Sequence, residues 1–115
     1  MSKINRDRAS LWDMLQAIEE LQEATDGLSY EQFEQNRIVR RAVERNFEIL
    51  GEAAGRVSDL LRIQNPEIDW RRIIGMRNII IHRYEQVETE TLWAVVDGNL
   101  TDLKQQLTTL LASLD

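Results

Sequence analysis

The sequence predicts an all-α protein, an antiparallel up-down bundle of four to five helices. Its 115 residues include one proline and five glycines, too few for the many turns of an all-β fold. Apolar residues recur at intervals of three, four and seven, as they do on the buried face of a helix. The predicted helices are joined by short connections, which favour antiparallel neighbours.

The first helix is predicted over residues 4–25. Its apolar positions recur at helical spacing on one face: Ile4, Leu11, Leu15, Ile18 and Leu21. Asp26 and Gly27 should end it, because glycine is the usual residue just past the end of a helix. We expect this helix to bury its apolar face against the rest of the bundle.

A second, long helix is predicted to open at Ser29 and to end before residues 65–66. Ser29 followed three residues later by Gln32 is a capping-box pattern, which is typical of a helix start. Its apolar positions are Phe33, Val39, Ala42, Val43, Phe47, Leu50, Ala54, Val57 and Leu61. Either Gly51 or Gly55 could bend so long a helix. A stripe of small residues would also let another backbone approach closely: Gly51, Ala54, Gly55 and Ser58.

Two further helices complete the predicted bundle. Asp69 can cap the third helix, whose apolar residues are Trp70, Ile73, Ile74, Met76, Ile80 and Ile81. The fourth begins near residues 88–89 and carries Leu92, Trp93, Val96, Leu100, Leu103, Leu107 and Leu110 at spacings of three and four. The length fits one domain over residues 1–115, which is large enough to bury a core.

Composition excludes several classes of protein. The chain has no cysteine, which rules out disulfides, thiol catalysis and thiolate metal sites. No apolar run reaches the ~20 residues of a membrane span, and the first residues lack a signal-peptide core. No zinc-binding, phosphate-loop or nucleophile-elbow motif occurs, so we expect neither a metal nor a cofactor. We therefore expect a cytoplasmic globular protein without membrane contact.

The net charge of −6 conceals a central basic segment. Residues 37–83 carry ten arginines against six acidic residues, whereas the segments on either side are each at −5. A negative total argues against nonspecific coating of nucleic acid, but it leaves room for a local phosphate site, which arginine suits. Most of these arginines we assign to ordinary helical ion pairs: Arg40–Glu44, Arg45–Glu48 and Glu52–Arg56.

The segment at residues 76–84 contains the only histidine of the chain. At about 100° per residue, Arg77 and Tyr84 share one face of a helix, and Asn78 and His82 share another. Arg77 and His82 lie about 140° apart, so one ideal helix does not aim both at a small target. Either the helix ends before His82, or two copies of the segment meet at a symmetric interface. Spacing alone favours a simpler role, in which His82 complements the helix dipole and Tyr84 packs beside it.

The same segment resembles the signature of a known family. It reads Arg-x-x-x-x-His-x-Tyr at Arg77, His82 and Tyr84, with Asn78 directly after the arginine. Two upstream segments add to the resemblance, residues 47–53 and 65–76. Together they are similar to the HepT-like ribonuclease toxins of the HEPN superfamily, found in type VII toxin–antitoxin systems. Arg83 departs from the pattern, because that family often has a small residue there.

The resemblance implies a metal-independent endoribonuclease toxin that cleaves cellular RNA, either tRNA or mRNA. Arg77 and His82 would be its catalytic residues, with Asn78 in support. The family's MntA-like nucleotidyltransferase antitoxin transfers AMP to the motif tyrosine, which is Tyr84 in this chain. The implied partners are therefore RNA, that antitoxin and a second copy of the chain.

These residue types suit RNA cleavage without a metal, because the 2′-hydroxyl of RNA is itself the nucleophile. Histidine transfers protons near neutral pH, and arginine can hold the phosphate and stabilise its developing charge. A single His82 cannot easily be base and acid on opposite sides of one phosphorus, but two copies across a two-fold axis could. The third helix carries more isoleucines than one core face needs, which also favours a homodimer: Ile73, Ile74, Ile79, Ile80 and Ile81.

Two alternatives stay open at this point. The chain could be a non-catalytic helical subunit that binds nucleotide or substrate for a nucleotidyltransferase, with Arg77 and His82 holding a phosphate or an interface. Glu52 could be a buried carboxylate that steers Arg77 or Arg56, or it could be an exposed helical acid.

Overall fold

The computed structural model describes residues 2–82 and 89–114, and within these ranges it contains helices and connections but no strand. The helices are α1 (Lys3–Thr25), α2 (Tyr30–Gln35), α3 (Arg37–Arg56), α4 (Asp59–Gln64), α5 (Trp70–His82), α6 (Thr89–Gly98) and α7 (Leu100–Ser113). The all-α prediction is confirmed. None of these helices combines the length and the apolar character that crossing a bilayer requires.

The first predicted helix agrees closely with α1. Gly27 follows it with a φ of 73°, the left-handed conformation that the predicted glycine signal requires. Leu11, Ile18 and Leu21 are fully buried, which confirms most of the predicted apolar face. Ile4, in the first turn, is exposed and does not join that face.

The prediction of one long second helix is wrong, because the chain forms α2, α3 and α4 there. The start is as predicted, with both hydrogen bonds of the Ser29–Gln32 capping box present. The first break lies at Asn36, whose side chain accepts a hydrogen bond from the N–H of Val39 at 3.1 Å and begins α3. A short polar side chain that bonds nearby backbone competes with a continuous helix, and apolar spacing does not reveal this competition.

The second break lies at Val57 and Ser58, not at Gly51 or Gly55. Ser58 caps α4, and the buried carboxylate of Asp7 accepts from its backbone N–H at 2.8 Å and from its hydroxyl at 2.7 Å. Asp7 belongs to α1, so residues 51 positions apart in sequence hold this break in place. Helical spacing cannot supply such a partner.

The third predicted helix is confirmed, and the fourth is divided. Asp69 caps α5, its Oδ1 accepting from the N–H of Arg72 at 3.1 Å. α6 and α7 take the place of the fourth helix and meet at Asn99, whose side chain makes no capping hydrogen bond. Asn99 is exposed at this junction between the two helices.

α3 lies at the centre of the fold and packs against α1, α2, α5 and α6. α3 and α7 each run antiparallel to α1, as predicted for neighbouring helices. Asp7, early in α1, bonds Ser58 just after α3, and Lys104, early in α7, reaches Gln22 late in α1 at 3.5 Å. The largest fully buried side chains are Phe33, Leu11, Met14, Ile18, Leu21, Ile68, Ile80, Leu92, Leu100 and Leu107. This core fixes α5, which carries the predicted site, against α3.

Candidate active site

α5 packs against α3 at a glycine. A Cβ atom on Gly51 would lie 2.3 Å from the Cβ of Arg77 and 3.0 Å from the carbonyl oxygen of Ile73. No side chain fits in that space, so the glycine is what lets the two helices approach. The predicted stripe of small residues is therefore correct at Gly51, whereas a Cβ on Gly55 would have nothing within 4 Å.

Arg77 stands beside this contact with an unusual set of neighbours. It is half-buried, and its Nη1 donates a hydrogen bond to Oδ1 of the exposed Asn78 at 3.4 Å. Its Nε is buried and has no hydrogen-bond partner. In the part of the chain that the structure describes, no carboxylate pairs with its guanidinium. Because its one described hydrogen-bond partner is the amide of Asn78, the guanidinium keeps its charge and can receive an anion.

His82 is the last residue of α5. The alternative in which the helix ends before His82 is therefore wrong. On this helix His82 lies about 7.5 Å beyond Arg77 along the axis and about 140° around it. The alternative that requires two copies of the segment is the one that this geometry favours. The side chain of His82 lies outside the described residues, as do Arg83 and the predicted modification site Tyr84.

Two arginines of α3 are paired with acids. Two predicted ion pairs are confirmed, Arg45–Glu48 at 3.1 Å and Arg56–Glu52 at 3.1 Å. Glu52 is about half exposed and pairs with Arg56, so it is the surface acid of the two alternatives and does not steer Arg77. Arg56 also contacts Asp13 of α1 at 3.2 Å, a pair that spacing along one helix could not predict. Unlike Arg45 and Arg56, Arg77 has no carboxylate partner among the described residues.

The arrangement can bind a phosphate. A guanidinium forms short, charge-assisted hydrogen bonds to phosphate oxygens, and the exposed amide of Asn78 can donate a further one. Among the described residues, no group of three acidic or histidine side chains could hold a metal ion. The sequence identified Arg77 and Asn78 but missed that Gly51 positions the arginine. The stripe of small residues was the available signal, although it did not name the partner.

Comparison with known proteins identifies one family. The ribonuclease HepT-like family profile matches residues 14–110. A Thermococcus cleftensis protein named "Probable ribonuclease HepT" is 35% identical over 94 residues, which cover 82% of this chain and 86% of its own. A protein of Methanocaldococcus jannaschii named as a candidate RNase is 32% identical over 100 residues, with 87% and 92% covered. Another candidate RNase, from Caldanaerobacter subterraneus, is 32% identical over 104 residues, with 90% and 93% covered. No solved structure matches significantly.

Proposed function

This chain belongs to the HepT-like ribonuclease family of the HEPN superfamily, and we propose that it is a metal-independent endoribonuclease toxin that acts on cellular RNA in the cytoplasm. The observation that carries the proposal is the state of Arg77. Its base is fixed against Gly51, and no described carboxylate neutralises its guanidinium. Such a guanidinium is ready to hold the scissile phosphate.

The proposed reaction uses the substrate's own nucleophile. The 2′-hydroxyl of RNA loses its proton to a base and attacks the adjacent phosphorus. The bond from phosphorus to the 5′-oxygen breaks, and that oxygen receives a proton from an acid. His82 carries out proton transfer, because histidine titrates near neutral pH. Arg77 holds the non-bridging oxygens and offsets the negative charge that builds on them, and Asn78 orients Arg77.

A homodimer is part of this proposal. Two proton transfers on opposite sides of one phosphorus need two groups, and the chain has one histidine. Packing leaves apolar surface on α5 that supports an interface: Ile79 is 47% exposed and Ile81 is 43% exposed, whereas Ile80 is buried in the core. We take these two exposed isoleucines beside the candidate site as support for an interface at α5.

The proposed regulator is an MntA-like nucleotidyltransferase antitoxin. It would transfer AMP from ATP to the hydroxyl of Tyr84, releasing pyrophosphate. The attached phosphodiester would bring negative charge and bulk to the segment that carries Arg77 and His82, and so repel and block RNA. The motif spacing and the family membership support this assignment of Tyr84.

The alternative, a non-catalytic subunit of a nucleotidyltransferase, is not favoured, because the matched relatives carry ribonuclease names. The direct test is cleavage of total RNA in excess EDTA. The wild-type protein should cleave, and His82→Ala should be slower by about 10²–10⁴, the range for loss of an acid–base group. Arg72→Ala, which removes an exposed arginine of the same helix, is the matched control and should cleave normally. Equal rates for wild type and His82→Ala would refute the proposal.

A further inference from the structure

A groove runs along α7, apart from the candidate active site. We call it the α7 groove. Its deep end is a cavity of about 300 Å³ with a floor of Phe47, Leu50 and Leu100, each no more than 2% exposed. Its shallow end, of about 530 Å³, is lined by polar residues of α7, including Gln105, Gln106, Thr109 and Ser113. Glu67, Asp102 and Gln106 line both ends, so the two form one continuous surface. Gly51, Arg77 and Asn78 line neither end.

The dimensions of the α7 groove suit an extended peptide. The α7 residues that line it begin at Leu100 and end at Ser113, which is about 20 Å at the helical rise. An extended chain advances about 3.3 Å per residue, so about six residues would fill this length. The deep end is at the lower limit of volume for a ligand pocket and can receive one apolar side chain. Glutamine side chains beside it can both donate to and accept from a peptide backbone.

The charge of the α7 groove selects the chemistry of its occupant. Three carboxylates line the deep end, from Glu67, Asp69 and Asp102, against one cation, Arg72. A net negative rim repels a nucleic-acid backbone and attracts lysine or arginine. The groove therefore has the opposite preference to Arg77, which has an unneutralised positive charge.

We propose that the α7 groove binds an extended segment of a partner protein. The segment is about six residues long, with an apolar side chain in the deep end and a neighbouring lysine or arginine facing Glu67 and Asp102. Ile73 and Met76 of α5 form part of the wall, so the partner contacts the helix that carries Arg77 while leaving Arg77 uncovered. Binding at this groove is consequently separable from RNA cleavage.

The test is binding of fluorescein-labelled hexapeptides measured by fluorescence anisotropy. The peptides have a Gly-Ser background and place Phe or Leu next to Lys, Glu or Ser, in either order. The Lys peptides should bind at least tenfold more tightly than the Glu peptides. Asp102→Lys leaves the deep end with no net charge and should abolish that preference, whereas Asp97→Lys, at an exposed acid of α6 outside the groove, should leave it unchanged.

A second variant tests the cavity itself. Asn99 is exposed at the deep end and its side chain makes no capping hydrogen bond, so Asn99→Trp should fold normally, block the cavity and abolish binding. Neither groove variant should change cleavage of a short RNA oligonucleotide, which separates this proposal from the ribonuclease assignment. Three results would overturn the proposal. They are equal affinity for the Lys and Glu peptides, no peptide binding at millimolar concentration, or binding of the small aromatic cation benzylammonium when no peptide binds.

Discussion

Gly51 of α3 and Arg77 of α5 meet so closely that a Cβ atom on the glycine would lie 2.3 Å from that of the arginine. Gly51, which has no side chain, thus positions Arg77, the residue that we assign to the phosphate. Because the contact lies at the base of Arg77, a change of helix separation would move the whole guanidinium. The position of the Arg77 guanidinium and the packing of the two helices are therefore coupled at this point.

Gly51→Ala should lower both stability and RNase activity. The added methyl group overlaps Arg77 and forces α5 away from α3, which we expect to cost about 1–3 kcal/mol in the free energy of unfolding. Gly55→Ala is the matched control, since a methyl group there has nothing within 4 Å and should stabilise the helix by about 0.5–1 kcal/mol. Urea denaturation and initial cleavage rates measure the two effects. Equal stability of the two variants would contradict the close approach.

Asn78→Ala should slow cleavage by about tenfold, because a hydrogen bond to a charged group contributes about 1.5 kcal/mol. Asn78→Asp should slow it further. It keeps an acceptor for Arg77 but places a negative charge at the proposed phosphate site. The measurement is kcat/KM on a defined oligonucleotide. An Asp variant faster than the Ala variant would show that Asn78 acts on something other than Arg77 and the phosphate.

Asp7→Ala should destabilise the fold by about 1.5–3 kcal/mol. It removes the buried carboxylate that accepts two hydrogen bonds from Ser58, and it leaves the N–H of Ser58 without its partner. Asp13→Ala on the same helix removes a partly exposed ion pair with Arg56 and should cost less than about 1 kcal/mol. Thermal unfolding followed by circular dichroism compares them. Similar melting temperatures would mean that the break between α3 and α4 does not depend on Asp7.

Ile81→Glu should convert a homodimer into a monomer, because it places a charge on the apolar surface of α5 assigned to the interface. Ile4→Glu changes a similarly exposed isoleucine on α1 and should leave the dimer intact. Sedimentation velocity at micromolar concentration distinguishes the two species. A wild-type protein that sediments as a monomer would refute the dimer.

Tyr84 should gain one AMP when the protein is incubated with an MntA-like nucleotidyltransferase, ATP and magnesium. Mass spectrometry should find the addition in the wild type and not in Tyr84→Phe. RNase activity should fall in the wild type as the modified fraction rises. Inhibition of an unmodified wild-type protein would show that the antitoxin acts by occlusion instead.

What the sequence determined by itself was local. Helix periodicity, the capping box at Ser29, the cap at Asp69 and the glycine signal at Gly27 each depend on residues within one or two turns, and the structure has them all. The candidate site residues came from the resemblance of a short motif to a known family, because spacing alone favoured a simpler role for His82 and Tyr84. The small-residue stripe at Gly51 indicated a close approach, but a pattern within one helix does not identify the helix that approaches.

Tertiary structure decided everything that depends on distant partners. It divided the predicted long helix at Ser58, where Asp7 of α1 supplies the hydrogen bonds, and it chose Gly51 over Gly55 as the contact with α5. It also left Nε of Arg77 buried without a partner while pairing Arg56 with Asp13. Periodicity fixes which face of a helix is apolar. The packing of all the helices against one another then decides which side chains meet, because each helix must fit its neighbours on several faces together.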